Sequence, residues 1–128
     1  MYSTISIPQL HQEYATWIQE LNYYKEEIKK FEHYLEVLLK KNNKKEIAAQ
    51  VEHFQNQFIR HKEVIDELKH NLGVAERQLK AFVLDVQGMG LPSIKMDNHP
   101  ELRKEVQTFR KIYRELKEEF RKFEATCI

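Results

Sequence analysis

Residues that interrupt regular structure are scarce in this chain, with 3 glycines and 3 prolines among 128 residues. So few breakers exclude a sheet protein built on many tight turns and leave room for long uninterrupted elements. Cysteine is nearly missing as well. The single thiol, Cys127, cannot form an internal disulfide, which excludes a disulfide-stapled scaffold and suits a reducing cytoplasm. No segment approaches the roughly 20 consecutive apolar residues that span a bilayer. The first residues, Met1-Tyr2-Ser3-Thr4, lack a basic stretch followed by an apolar one, so no secretory leader is expected. Neither sign of charge dominates: 21 Lys and Arg face 20 Asp and Glu, which argues against a protein that coats nucleic acid. A cytoplasmic location is the resulting expectation.

What the chain does have is charge, 32% of its residues, in a background of Leu, Gln, Glu and Lys that favours long helices. Its apolar residues fall into stripes. Leu10, Tyr14, Trp17, Leu21, Tyr24, Ile28, Phe31, Leu35 and Leu38 are separated by alternating steps of four and three, the seam of a heptad helix. The same alternation runs through Ile47, Val51, Phe54, Phe58, His61, Ile65, Leu68, Leu72, Ala75, Leu79, Phe82 and Val86. It returns in Leu102, Val106, Phe109, Tyr113, Leu116, Phe120, Phe123 and Cys127. Ser6 with Gln9, and Asn43 with Glu46, have the spacing of capping boxes, and Pro8 and Pro100 suit first turns. Asp97 or Asn98 is placed to cap the third helix. Gly73 lies off the seam of the second helix, where mild bending is expected.

These stripes predict an all-α, antiparallel three-helix bundle of long heptad-patterned, coiled-coil-like helices in a single domain. Helix 1 is expected over about 7–40, helix 2 over about 44–86, a loop over 87–98 and helix 3 over about 99–126. The first linker is too short for anything but a hairpin. The second carries Met89, Leu91, Ile94 and Met96, and so apolar a loop is expected to fold over the open end of the bundle.

At about 1.5 Å per residue the helices reach about 50, 60 and 40 Å. Counted from the open end, helix 3 is expected to stop near the level of Ile28 and Phe58. That would leave Phe31, Leu35, Leu38, Ile47, Val51 and Phe54 on a bare two-helix tip, widened by Tyr34, Val37 and Leu39. Exposed seams of this kind are costly, so the tip is expected to pack on a partner, most simply a second copy in a two-fold dimer.

Candidate chemistry is thin. Di-iron bundles need paired Glu-x-x-His motifs facing the core, and only Glu67 and His70 have that spacing, at outward positions. No metal or other cofactor is expected. His61 occupies a seam position, where a polar residue commonly specifies register, and Tyr24 is its expected hydrogen-bond partner in a polar core. Lys40, Lys41, Lys44 and Lys45 make the strongest local charge cluster, a possible contact for an anion but too few for tight phosphate binding. The basic residues of helix 3 alternate with glutamates, as on a solvated face. No nucleophile–base pair or phosphate loop is present, so no enzyme is expected. The function expected is a non-enzymatic protein-interaction or scaffold module that self-associates through its hairpin. The alternatives are a metal- or small-ligand-binding bundle around His61 and Tyr24, or a weak anion-surface binder through the lysine turn.

Overall fold

A computed structural model describes residues 5–42, 44–85, 93–94 and 99–127. The protein is an all-α three-helix bundle: α1 spans Ile7–Lys41, α2 Lys45–Asp85 and α3 His99–Thr126. The Ser6 hydroxyl accepts the Gln9 amide at 3.2 Å, with Pro8 in the first turn, so the first orphan donors of α1 are met locally. Lys40 and Lys41 lie in its last turn, where positive charge complements the helix dipole. Extended backbone at Asn42 ends the helix, and its side-chain oxygen accepts the Lys44 amide at 3.1 Å. The helix then reverses into α2, which continues unbroken through Gly73, where an added Cβ would meet only the end of Arg77. The expected caps Asn43, Asp97 and Asn98 lie outside the described residues. Two short strands, β1 (Ile5–Ser6) and β2 (Ser93–Ile94), pair antiparallel and tie the second linker beside the start of α1. The rest of that apolar linker lies outside the described residues.

The heptad stripes form the core. Leu10, Tyr14, Leu21, Ile28 and Leu35 of α1 are fully or almost fully buried, as are Phe58, Ile65, Leu72 and Ala75 of α2 and Val106 and Phe120 of α3. α1 and α2 approach each other most closely, α2 and α3 less so, and α1 and α3 least. Between α1 and α3 runs a ladder of ion pairs, one heptad apart on both helices. Glu13 meets Arg103 at 2.9 Å, Glu20 takes both nitrogens of an Arg110 fork at 2.5 and 2.6 Å, and Glu27 meets Lys117 at 3.0 Å.

This ladder sets the stagger of α3 and corrects the expectation of a bare tip. α3 begins with His99 stacked on Trp17 and edge-on to Tyr14, roughly 10–15 Å along the bundle from Ile7. Starting so far in, it reaches the hairpin: Phe120 lies 4.6 Å from Phe31 and Phe123 lies 5.2 Å from Phe54, ring centre to ring centre. Phe31, Leu35, Leu38, Val51 and Phe54 are therefore buried within one chain. Tyr34 and Ile47 are partly buried against the same core.

Candidate functional site

Three seams join three helices, and they are not equally closed. Besides the ladder, α1 reaches α2 through Lys25–Asp66 at 2.7 Å and Glu32–Lys62 at 2.8 Å, with His11 3.8 Å from Glu76. Among the described residues every ion pair between helices has one partner on α1. None joins α2 to α3. The flank residues explain this: α2 presents Gln57, Val64 and Asn71 where α3 presents Glu119, Ile112 and Glu105. Both sets repeat every heptad, but neither supplies a cation opposite a carboxylate.

An open groove runs along this seam. Its middle section, about 420 Å³, lies between Val64, Leu68 and Asn71 of α2 and Thr108, Phe109 and Ile112 of α3. One end continues past Asn71 and Glu105 into a hollow of about 220 Å³ beside Val74 and Glu101. The other continues past Ile112 into a hollow of about 230 Å³ lined by His53, Gln57, His61, Glu115 and Glu119. From Val74 to His53 the groove follows α2 for about 30 Å. Ile112, which lines both the middle section and the hollow beyond it, is 46% exposed. A separate apolar hollow of about 340 Å³, between Ile7, Leu79, Val83 and Leu84, borders chain that continues outside the described residues.

His61 abuts the groove from the core side and is buried. Its Nδ1 lies 2.8 Å from the Gln57 carbonyl, which can only accept, so Nδ1 carries the proton and donates. Nε2 is buried with no hydrogen-bond partner among the described residues. The expected bond to Tyr24 is not formed. Tyr24 instead donates to Glu20 at 2.6 Å and packs against Tyr113, because the carboxylate next to it on α1 is the stronger acceptor. Burial pushes Tyr24 up to about 12, and the Glu20 bond adds to the shift. Burial also pushes the His61 imidazole below its ordinary value, against the pull of the Gln57 carbonyl.

A histidine lowered in the folded state favours the neutral form, so its stability contribution is complete above the unfolded value of 6.5 and falls as pH drops below it. His61→Leu is therefore expected to flatten the decline in urea stability below pH 6.5. It should also raise stability at about pH 8 by about 1 kcal/mol, by removing an orphaned buried nitrogen. Lower stability of the variant at that pH would show that the Gln57 bond outweighs the orphan.

A second buried histidine escaped the sequence reading. His99 continues the α3 stripe one step before Leu102, so the stripe itself carried the signal. Its Nε2 lies 3.3 Å from Glu13, while its Nδ1 and the Tyr14 hydroxyl are buried without partners among the described residues. Burial lowers His99 and raises Tyr14 to about 12.

The remaining candidates stay apart from these groups. Lys40, Lys41, Lys44 and Lys45 are exposed around the hairpin turn, and among the described residues none makes an ion pair. Glu67 and His70 both face solvent. No group of three or more His, Cys, Asp or Glu side chains among the described residues is placed to hold a metal ion. None of the described helices is long and apolar enough to cross a membrane. No family model, curated protein or solved structure matches the chain.

Proposed function

We propose that the protein is a non-enzymatic interaction module, working in the cytoplasm, whose α2–α3 groove receives a helix from a partner chain. The observation that carries this reading is the seam without ion pairs, open for about 30 Å and lined by the exposed Ile112. A helix of about 20 residues has that length, and laid in the groove it would complete a fourth edge of the bundle. Covering Ile112 and Val64 supplies the apolar gain, at roughly 25 cal/mol per Å². The hairpin tip supplies less, because its seam side chains are already buried against α3.

Panning the full chain against displayed helical peptides with varied surface residues tests the reading. Enriched peptides are expected to share an apolar heptad stripe. They should lose at least about tenfold in affinity toward Ile112→Glu, as a central interface residue does, and keep it toward Lys41→Gln. No enrichment, or binding indifferent to Ile112→Glu, would sink the reading. Self-association is one form of it: sedimentation at high micromolar concentration should then show a dimer that Ile112→Glu dissociates, and a strict monomer would remove that form.

A further inference from the structure

Along the groove, charge and apolar surface follow a regular order. Gln57 shares a hollow with Glu119, Val64 with Ile112, and Asn71 with Glu105, in steps of one heptad on each helix. The apolar pair is thus central, with a carboxylate one heptad to either side. Glu115 adds a second carboxylate at one end and Glu101 at the other. On the α1 seam, the matching glutamates Glu13, Glu20 and Glu27 are each neutralised by Arg103, Arg110 or Lys117. In the groove the α2 residues opposite Glu119 and Glu105 are the neutral Gln57 and Asn71. Among the described residues, Glu101, Glu105, Glu115 and Glu119 make no ion pair. Of the cations lining the groove, Arg60 is held by Glu63 at 3.1 Å and by Glu67 at 3.9 Å, which leaves Lys104 against four carboxylates.

We infer that the groove binds a basic amphipathic helix of a different protein, bearing Lys or Arg one heptad before and one heptad after the apolar residue that covers Val64 and Ile112. This rests on the groove being the docking face proposed above. Electrostatic complementarity of this kind selects partners and rejects those that bring like charge.

Among the described residues, a second copy of the chain offers no exposed apolar side chain that fits the order. The exposed large apolar side chains on its helices include Tyr23, Ile59 and Ile112. One heptad to either side, Tyr23 has Thr16 and Lys30, Ile59 has Glu52 and Asp66, and Ile112 has Glu105 and Glu119. Leu39, Val83 and Leu84 stand too near their helix ends to have both neighbours on the helix. None presents the basic–apolar–basic order, and Ile59 or Ile112 in the groove would set carboxylate against carboxylate.

Two labelled helical peptides of about 21 residues with the same leucine stripe test the inference, one bearing lysine and the other glutamate a heptad either side of the central leucine. Their affinities for the full chain are read by fluorescence anisotropy. The basic peptide should bind at least about tenfold tighter at low salt, with the advantage shrinking as salt is added. The exposed double variant Glu105→Lys/Glu119→Lys should reverse the preference. Equal affinities, both abolished by Ile112→Glu, would overturn the charge inference while leaving the groove as a docking face. A preference for the basic peptide that survives the double variant would also overturn it. If neither peptide binds the wild-type chain while other helical peptides are enriched in panning, the inference alone fails. If panning also enriches nothing, the docking reading fails with it.

Discussion

Phe120→Ala is expected to cost about 3–5 kcal/mol of folding stability, the range for removing a buried aromatic ring from a core. Phe120 is completely buried, and its ring centre lies 4.6 Å from Phe31, 5.3 Å from Phe58 and 5.5 Å from Phe54, with Tyr34 edge-on at 6.0 Å. These neighbours belong to the other two helices, which are themselves packed closely together. Loss of the ring would also uncover Phe31 and Phe54, producing the bare tip that counting residues from the open end had suggested. The variant should accordingly show a lower urea midpoint together with new concentration-dependent association. A loss below about 1 kcal/mol would mean that α3 does not pack on the hairpin, and would restore the tip as the candidate docking face.

That misplacement of the tip has a physical origin. The stripes identified nearly every buried position, from Leu10 to Phe123, because burial follows the heptad. A heptad stripe is unchanged when one helix slides by seven residues, about 10 Å, along another. Periodicity alone thus cannot report stagger, and the stagger decides what covers Phe54. The resolving signal lay on the flanks. Glu13, Glu20 and Glu27 recur every heptad, and so do Arg103, Arg110 and Lys117. Matching them gives the register, whereas treating the α3 charges as a solvated face discards it. His61 was legible as a polar seam residue, but its partner depends on a rotamer choice between the Gln57 carbonyl of its own helix and more distant groups. The groove was illegible for a related reason. It is defined by what α2 lacks opposite Glu105 and Glu119, and that comparison needs the register first.

The ladder should also govern the acid response of the fold, and Glu27 is where the effect concentrates. Its side chain is 13% exposed and accepts from the Tyr113 hydroxyl at 2.5 Å, the Lys117 ammonium at 3.0 Å and the Tyr23 hydroxyl at 3.2 Å. Burial alone would push the Glu27 carboxyl up, but the bonds from Tyr113 and Lys117 prevail and hold it below the usual carboxylate value. The Arg110 fork does the same for Glu20. A carboxylate lowered in the folded state contributes stability that is present above its unfolded value of 4.5 and is lost as pH falls through the folded one. Glu27→Leu should therefore be less stable than wild type by about 2 kcal/mol at about pH 7, chiefly because the nearly buried Tyr113 hydroxyl loses its acceptor. Adding Tyr113→Phe removes that orphan, so the double variant should recover part of the loss, with a coupling of about 1 kcal/mol in the cycle. Urea titrations at about pH 7 and about pH 3 separate this account from simple packing loss, since Glu27→Leu should show a shallower acid decline than wild type. Equal declines would place the acid sensitivity elsewhere, and additive effects of the two substitutions would show that the hydroxyl does not depend on this carboxylate.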